Sequence, residues 1–320
     1  KDLKLKKKDK TIIFSPPAYA MGVSQVLTFM AAGSGILLYR EGLKFPNELI
    51  KKIEMYKISI LNISVSAFRI LENFLKDQKK FRTLRIIMSG GMPLTRQIFY
   101  KYRKFFPNAK IINFYGCTEN SPRISHHHIK SFTQKNISFF PVGKALEGVK
   151  VKIKKINNHT SNIGLIFISG TSLMRSYLNN KVLNKKFMIN GWYNTGDLGF
   201  LDRNKNLNIT GRNDNTFRVG HEKLCPEEIE NVIQKKFNLQ EIVITKVKHK
   251  ILDWVPFGIG VKGKKTKITS DDIINGISEE LSNYKVPKEI IFLKKIPKTN
   301  YGKLNRKKIE IIAKKYNEKR

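Results

Sequence analysis

Residues 110–120, KIINFYGCTEN, run from a β-branched stretch into a glycine, Gly116, and then into a hydroxyl beside a carboxylate, Thr118 and Glu119. That pair suits phosphate oxygens and a hard cation, because Mg²⁺ takes oxygen ligands and reaches a protein through one or two carboxylates. The same two residues would also serve as a helix cap with an acid in the first turn. A second pattern, PKTNYGK at 297–303, sets Lys303 behind a proline, a threonine and Gly302 in a chain where lysine is plentiful. SGGMPL at 89–94 follows a strand pattern with two glycines, which let a ring or a phosphate approach the backbone or simply turn the chain into a helix. GWYNTGDLGF at 191–200 puts Asp197 in what reads as a Gly-flanked turn, its carboxylate able to accept from two vicinal hydroxyls or from its own backbone. GRND at 211–214 adds Arg212 and Asp214, which alone signal no more than a surface ion pair. His126, His127 and His128 read as a solvated loop, since neighbouring histidines rarely converge on one ion without further ligands.

These residues need elements to hold them. From ISILNI through SAFRILENFLKD, LRIIM, LTRQIFYKYRKFF and KIINFY, short β-branched runs alternate with amphipathic helices, the pattern of a parallel sheet. In such sheets ligands gather at the carboxyl ends of strands, where Thr118 and Glu119 would project. Phe68, Leu71 and Leu75 recur at helical spacing, and Pro93 reads as the start of the helix that follows SGG. Residues 142–211 change to short strands and turns, with LDRNKN as a hairpin connection. After GRND comes a Pro-started helix, PEEIENVIQKKF, then strands EIVITKV and FGIGVK, a helix SDDIINGISEELSNY and a strand EIIFLKKI. The expected fold class is α/β: a partial large domain, 1–213, with a mostly parallel sheet flanked by helices and an antiparallel β subdomain, then a small mobile α+β domain, 214–320.

Composition bounds the alternatives. Of the 320 residues 41% are hydrophobic, enough for a substantial core. The formal charge of +36 is spread along the whole chain without a helix-turn-helix, zinc-finger or RNP signature. A general attraction for anionic ligands is therefore expected, and a sequence-specific nucleic-acid partner is not. Two cysteines, Cys117 and Cys225, make no disulfide framework, and no secretory leader opens the chain, so the expected location is the cytoplasm. The longest apolar run, VLTFMAAGSGILLY, is too short to span a bilayer.

In this order, SGGMPL, FYGCTE, WYNTGD, GRND, VGHEKLCPEEIE, NYKVP and PKTNYGK resemble the AMP-forming adenylate synthetases: acyl-CoA synthetases, luciferases and the adenylation domains of peptide synthetases. SPPAYAMGVSQVLTFMAAGSGILLY resembles the segment that follows the family's glycine-rich phosphate loop. That loop itself is absent from these residues, and with Lys rather than Met at position 1 the chain reads as N-terminally incomplete. The resemblance implies an ATP-dependent ligase that turns a carboxylic acid into an acyl-adenylate, releases pyrophosphate and passes the acyl group to a thiol. The alternatives are amino-acid or acyl adenylation that loads a carrier protein, and a non-catalytic nucleotide-binding relative. It implies ATP, Mg²⁺ and coenzyme A, or a carrier protein's phosphopantetheine, as cofactors, with a small carboxylic acid and CoA or acyl-carrier protein as partners.

By matching positions, the resemblance implies that Gly91, Met92, Pro93, Asn113, Tyr115 and Gly116 frame the nucleotide, with Tyr115 stacking on adenine and Asn113 reading its amino edge. Thr118 would meet phosphate and Glu119 would hold Mg²⁺; Asp197 would take both ribose hydroxyls, supported by Arg212. Asp214 falls at the hinge, Gly220 near the pantetheine path, and Tyr19 beside the acid, where an ordinary core-edge tyrosine is the competing reading. The resemblance makes Lys303 the expected catalytic cation of adenylation, carried on the mobile domain. With no acidic residue placed to meet an α-amino group, the expected substrate is an acid without one.

Overall fold

The computed structural model describes residues 3–16, 18–75, 80–129, 139–155, 162–220, 222–263, 266–299 and 302–318. In its first half β1 (Lys10–Ile13), α1 (Ala20–Ala31), β2 (Gly35–Leu38), α2 (Pro46–Met55), β3 (Ile60–Asn62), α3 (Val65–Glu72), β4 (Ile86–Ser89), α4 (Arg96–Phe105) and β5 (Lys110–Tyr115) alternate along the chain. They build a seven-stranded sheet of order β2-β1-β3-β4-β5-β6-β7, closed by β6 (Ser125–Ile129) and β7 (Lys144–Ala145). The five strands from β1 to β5 are mutually parallel, and β6 and β7 run antiparallel at the edge. Both faces of the central strands are apolar, as a parallel sheet covered on each side requires. On one face Leu61, Ile87 and Ile111 pack with Phe68, Leu71, Phe99 and Tyr102; on the other Ile60, Ile86, Met88, Ile112 and Phe114 pack with Phe29 of α1.

Local chemistry explains the helices. Ser64 and Thr95 cap α3 and α4 by accepting from Ala67 N and Ile98 N, satisfying amide groups that would otherwise be orphaned. Pro93, expected at the head of α4, lies three residues before Arg96; Thr95 starts the helix because its hydroxyl reaches the Ile98 amide. In α4 Ile98, Phe99, Tyr102 and Phe105 are buried, so its apolar stripe faces the sheet while its arginines and lysines face water. Of the expected stripe in α3, Phe68 and Leu71 are buried; Leu75 lies beyond the helix but still packs on that core.

A second sheet has the order β10-β11-β9-β8 with β12 beside β11, made from β8 (Val149–Lys155), β9 (Gly164–Gly170), β10 (Met188–Ile189), β11 (Trp192–Leu201) and β12 (Leu207–Arg212). A short helix, α5 (Lys181–Phe187), precedes β10. LDRNKN is the connection from β11 to β12, where Asp202 Oδ1 accepts from Asn204 N and Asn206 N at 2.9 and 2.8 Å. His126 to His128, expected in a loop, sit inside β6. The period of two puts His126 and His128 on one face with ring centroids 5.0 Å apart and His127 on the other, where burial lowers its pKa. No group of three His, Cys, Asp or Glu among the described residues is placed to hold a metal ion.

The C-terminal part contains the hairpin β13 (Phe217–Val219) and β14 (Glu222–Leu224), then α6 (Pro226–Lys236), β15 (Leu239–His249), β16 (Asp253–Lys262), α7 (Ser270–Ser278), β17 (Ile290–Phe292) and α8 (Arg306–Glu318). β15 and β16 pair antiparallel and β17 joins β16 in parallel. Its own core gathers Ile229 and Ile233 of α6, Ile273 and Ile277 of α7 and Ile309 and Ala313 of α8 with the inward residues of those strands. α6 begins with Pro226, Glu227 and Glu228 and ends with Lys235 and Lys236, the polarity the helix dipole favours. By contacts the chain forms two compact units, Lys1–Thr195 with Gly199–Ile209, and Gly196–Leu198 with Thr210–Arg320. No helix among the described residues is long and apolar enough to cross a membrane.

Phe68 is fully buried, its ring edge-on to Tyr102 at 4.4 Å. Phe68→Ala is expected to lower unfolding stability by about 3–5 kcal/mol, as large-to-small aromatic truncations in cores do, measured by chemical denaturation.

Candidate functional site

At the carboxyl end of β5 the chain turns sharply. Gly116 leaves no room for a side chain: a Cβ there would fall 1.5 Å from the Pro122 carbonyl oxygen, so the returning strand can close on the turn only because this residue is glycine. Thr118–Asn120 forms a single 3₁₀ turn that ends at Ser121 in the left-handed region, φ 54°. Thr118 is exposed and Glu119 half-buried. The turn is tied to the segment after β9: Met174 N donates to Glu119 O at 2.8 Å, Ser172 Oγ to Asn120 Oδ1 at 3.2 Å and Ser121 Oγ to Ser172 O at 3.1 Å.

Glu119 itself is clamped. Tyr177 donates its hydroxyl to Glu119 Oε1 at 2.7 Å, and the Tyr193 hydroxyl lies 3.0 Å from that of Tyr177. Burial pushes the Glu119 carboxyl up, yet hydrogen bonds from Tyr177, its own backbone N–H, Tyr193 and Cys117 outweigh that and hold it below the ordinary glutamate range. The result is an ionised, oriented carboxylate at a strand end, the donor chemistry a hard cation such as Mg²⁺ prefers. Tyr177 and Tyr193 carry no sequence signal for this role; they lie 58 and 74 residues from Glu119, and only the second sheet brings them to it.

The glycine pair after β4 divides its work. A Cβ on Gly90 would lie 2.6 Å from the Phe114 ring, so Gly90 serves packing. Gly91 has φ +77° with open space where a Cβ would point. Met92 packs on the main core and Pro93 is exposed. Asn113 is buried, and its amide nitrogen donates to the carbonyls of Phe140 and Pro141 at 3.1 and 3.0 Å, so it fixes the chain beyond β6. Tyr115 is half-buried against the cluster around Ile124 and Ile166. Tyr19 is the N-cap residue of α1, 42% exposed.

The remaining positions belong to the C-terminal unit. Asp197 lies within β11, a strand rather than the expected turn, beside Gly196 at φ +73°. The Arg212 guanidinium forks between two acids, Nη1 to Asp197 Oδ1 at 3.0 Å and Nη2 to Asp214 Oδ2 at 2.7 Å. Asp197 is buried while Asp214 is exposed in a 3₁₀ turn, Asn213–Asn215, so the fork orders the buried carboxylate more than it stabilises the surface one. A Cβ on Gly211 would lie 2.7 Å from Cys225 Sγ, which explains the glycine of GRND as a close approach to the head of α6. Gly220, φ +58°, is the exposed turn residue after β13.

Lys303 is exposed on a turn that is anchored on both sides. Gly302 adopts φ +79°, Thr299 N donates to Lys303 O at 2.7 Å, and Asn305 N donates to Pro297 O at 3.0 Å. Before the turn Lys298 pairs with Glu241 at 3.0 Å; after it Arg306 pairs with Glu227 at 3.1 Å. The carboxylate of Glu227 also accepts from Asn215 Nδ2, and the Cys225 thiol from 3.2 Å. Glycine at 302 is therefore a conformational requirement of the turn, and the flanking cations are spent on anchoring while Lys303 is presented to solvent. Lys298, Glu241, Glu227 and Arg306 are the positioning residues that sequence reasoning missed.

Against known proteins, residues 1–178 match the AMP-binding enzyme family and residues 228–303 match the AMP-binding enzyme C-terminal domain. The chain belongs to the AMP-binding enzyme family, the AMP-forming adenylate synthetases. It is 27% identical over 295 residues to 4-coumarate-CoA ligase 1 of Narcissus pseudonarcissus, covering 89% of this chain and 53% of that protein. It is 29% identical over 270 residues to a long-chain-fatty-acid–CoA ligase of Haemophilus influenzae, covering 83% and 47%. The chain spans about half the length of these curated relatives. Its fold matches that of ATP-bound MatB from Rhodopseudomonas palustris with a TM-score of 0.83 at 20% identity, over 97% of this chain and 61% of the other. It also matches o-succinylbenzoate CoA synthetase (MenE) from Bacillus subtilis in complex with the acyl-adenylate intermediate OSB-AMP, with a TM-score of 0.79 at 22% identity, over 96% and 62%.

The Tyr177 hydroxyl makes the largest of the hydrogen bonds that lower the Glu119 pKa, so Tyr177→Phe is expected to raise that pKa, read by carboxyl NMR titration. A lowered carboxyl pKa contributes stability that is complete above the unfolded value of about 4.3 and is lost as pH falls through the folded value. Acid unfolding of the Tyr177→Phe protein is accordingly expected to begin at higher pH.

Proposed function

We propose that this chain is the larger carboxyl-terminal part of an ATP-dependent ligase that activates a carboxylic acid. In the first step a carboxylate oxygen of the acid attacks the α-phosphorus of ATP; the bond from that phosphorus to the bridging oxygen breaks, and pyrophosphate leaves with the electron pair. In the second step a thiol, of coenzyme A or of a carrier protein's phosphopantetheine, attacks the acyl carbonyl and AMP leaves. The acid is one without an α-amino group, and the reaction takes place in the cytoplasm.

Two observations carry this reading: an oriented, ionised Glu119 beside an exposed Thr118 at the end of β5, and, within the C-terminal unit, an exposed Lys303 on an anchored turn. Two anions must meet in the first step, and a preorganised cation stabilises the charge that develops on the α-phosphoryl oxygens. Glu119 would hold Mg²⁺, whose charge offsets that of the phosphates when bound, and Thr118 would hydrogen-bond a phosphate oxygen. The open face at Gly91, with Met92, Pro93, Asn113, Tyr115 and Gly116, supports an adenine subsite. The buried Asp197, oriented by Arg212, supports a ribose subsite in which the carboxylate accepts from both hydroxyls. Asp214 would be the hinge between domains 1–213 and 214–320; Gly220 would border the pantetheine path and Tyr19 the acid. The likeness to named CoA ligases supports coenzyme A as the acceptor.

Lys303→Ala in the full-length protein is expected to lower ATP–pyrophosphate exchange by about a hundredfold or more, comparable to losing one oxyanion donor. The check is exchange of labelled pyrophosphate into ATP; a rate equal to the parent's removes Lys303 from the reaction.

A further inference from the structure

Arg123 follows the Glu119 turn directly and enters β6 from the carboxyl end of β5. Its guanidinium lies over the Phe114 ring, 5.4 Å from the centroid, and Nη1 comes within 3.5 Å of Met88 Sδ. Among the described residues no carboxylate pairs with it, and its backbone is locked by Asn120 Nδ2, which donates to Arg123 O at 2.9 Å. Arg85, by contrast, is held by Asp9 at 2.5 Å. Burial without a counter-ion lowers the Arg123 pKa to about 10. A ring contact offsets only part of the cost of taking a guanidinium out of water.

The surroundings repeat the message. Asn62 is the register partner of Met88 and shares its face of the sheet; it is 6% exposed, and neither its Oδ1 nor its Nδ2 has a hydrogen-bond partner. Gln25 lies four residues from both Met21 and Phe29 on α1, the stripe that packs on this same face, and its buried Oε1 is also unsatisfied. Buried polar groups are nearly always satisfied, so a guanidinium held only by a thioether and a ring, on the same face as an unsatisfied amide at the carboxyl ends of β3, β4 and β5, describes a site made for a polar group that the described residues do not supply. The side chains around them on this face, Met21, Phe29, Met88 and Phe114, are apolar. A triphosphate would meet one cation and an apolar wall there; a hydrocarbon body ending in one anion fits both.

Resting on the ligase reading above, we propose that Arg123, with Asn62 beside it, binds a second carboxylate on the acid, so that the preferred substrates are dicarboxylic acids activated at the end remote from Arg123. The guanidinium fork accepts a carboxylate in two parallel hydrogen bonds, and the apolar walls hold the connecting carbons. Phe114, pressed against Gly90, acts as the floor that keeps the guanidinium flat.

The test is ATP–pyrophosphate exchange by the full-length protein with matched pairs of acids, straight-chain α,ω-dicarboxylates against monocarboxylates of equal length, and benzoic acids with and without a second carboxyl. The parent is expected to favour the diacid of a pair by tenfold or more in kcat/KM. Arg123→Met is expected to abolish or invert that preference, mainly through KM, and Arg123→Lys to keep part of it. Because Met removes an unpaired charge, the variant is expected to unfold at a temperature no lower than the parent. Exchange that favours monoacids in the parent, or a preference that Arg123→Met leaves unchanged, overturns the inference and leaves the ligase reading standing. Exchange with no acid in the panel, at protein concentrations where ATP still binds, overturns the ligase reading and this inference with it.

Discussion

The structure turns on keeping particular charges ionised and aimed while they are partly withdrawn from water. Burial pushes the Glu119 carboxyl toward the protonated form; hydrogen bonds, the largest from the Tyr177 hydroxyl, outweigh it. Tyr193, on β11, and Tyr177, in the connection between β9 and α5, bring those two phenols to the end of β5. The same logic appears in the C-terminal unit, where Arg212 fixes the buried Asp197 from one side and is itself fixed by Asp214 from the other.

Lysine is so abundant in this chain that a cation as such carries no information. Lys303 differs from its neighbours in having its backbone held and its side chain left to solvent. The turn that carries it is closed by Gly302 in the left-handed region and gripped by ion pairs at Lys298 and Arg306, with partners Glu241 and Glu227 inside the C-terminal unit. Arg123 differs in the opposite way: it is drawn off the surface onto Phe114, and among the described residues no carboxylate meets it. Most of the +36 formal charge is solvated and general, whereas these two positions give it direction.

Much of the fold was legible because it rests on periodicity and turn chemistry. Helical spacing in RQIFYKYRKF, strand alternation around KIINFY, Pro226 at the head of α6 and the Asp202 turn all express local physics that a short window contains. Where the reading erred, a competing local signal was stronger. Three consecutive histidines look like a polar loop, but pairing with β5 and β7 makes them a strand. Glycines flanking Asp197 look like a turn, but β11 runs through both because Gly199 lets the neighbouring strand at Asn208 come close. Pro93 looks like a helix start, but a capping threonine two residues later wins.

The sequence by itself determined which chemistry is present: a hydroxyl and carboxylate after a strand, an acid and arginine pair, a lysine behind a tight glycine turn, in an order shared with the AMP-binding enzymes. These are properties of residue type and near spacing, which the chain carries whether folded or not. Only the tertiary structure decided which of those groups are ionised, which are anchored and which stand unpaired. Tyr177 reaching Glu119, Glu241 holding Lys298 and Arg123 settling over Phe114 beside Met88 depend on packing across sheets and strands, and desolvation, which sets their energies, does not exist until that packing forms.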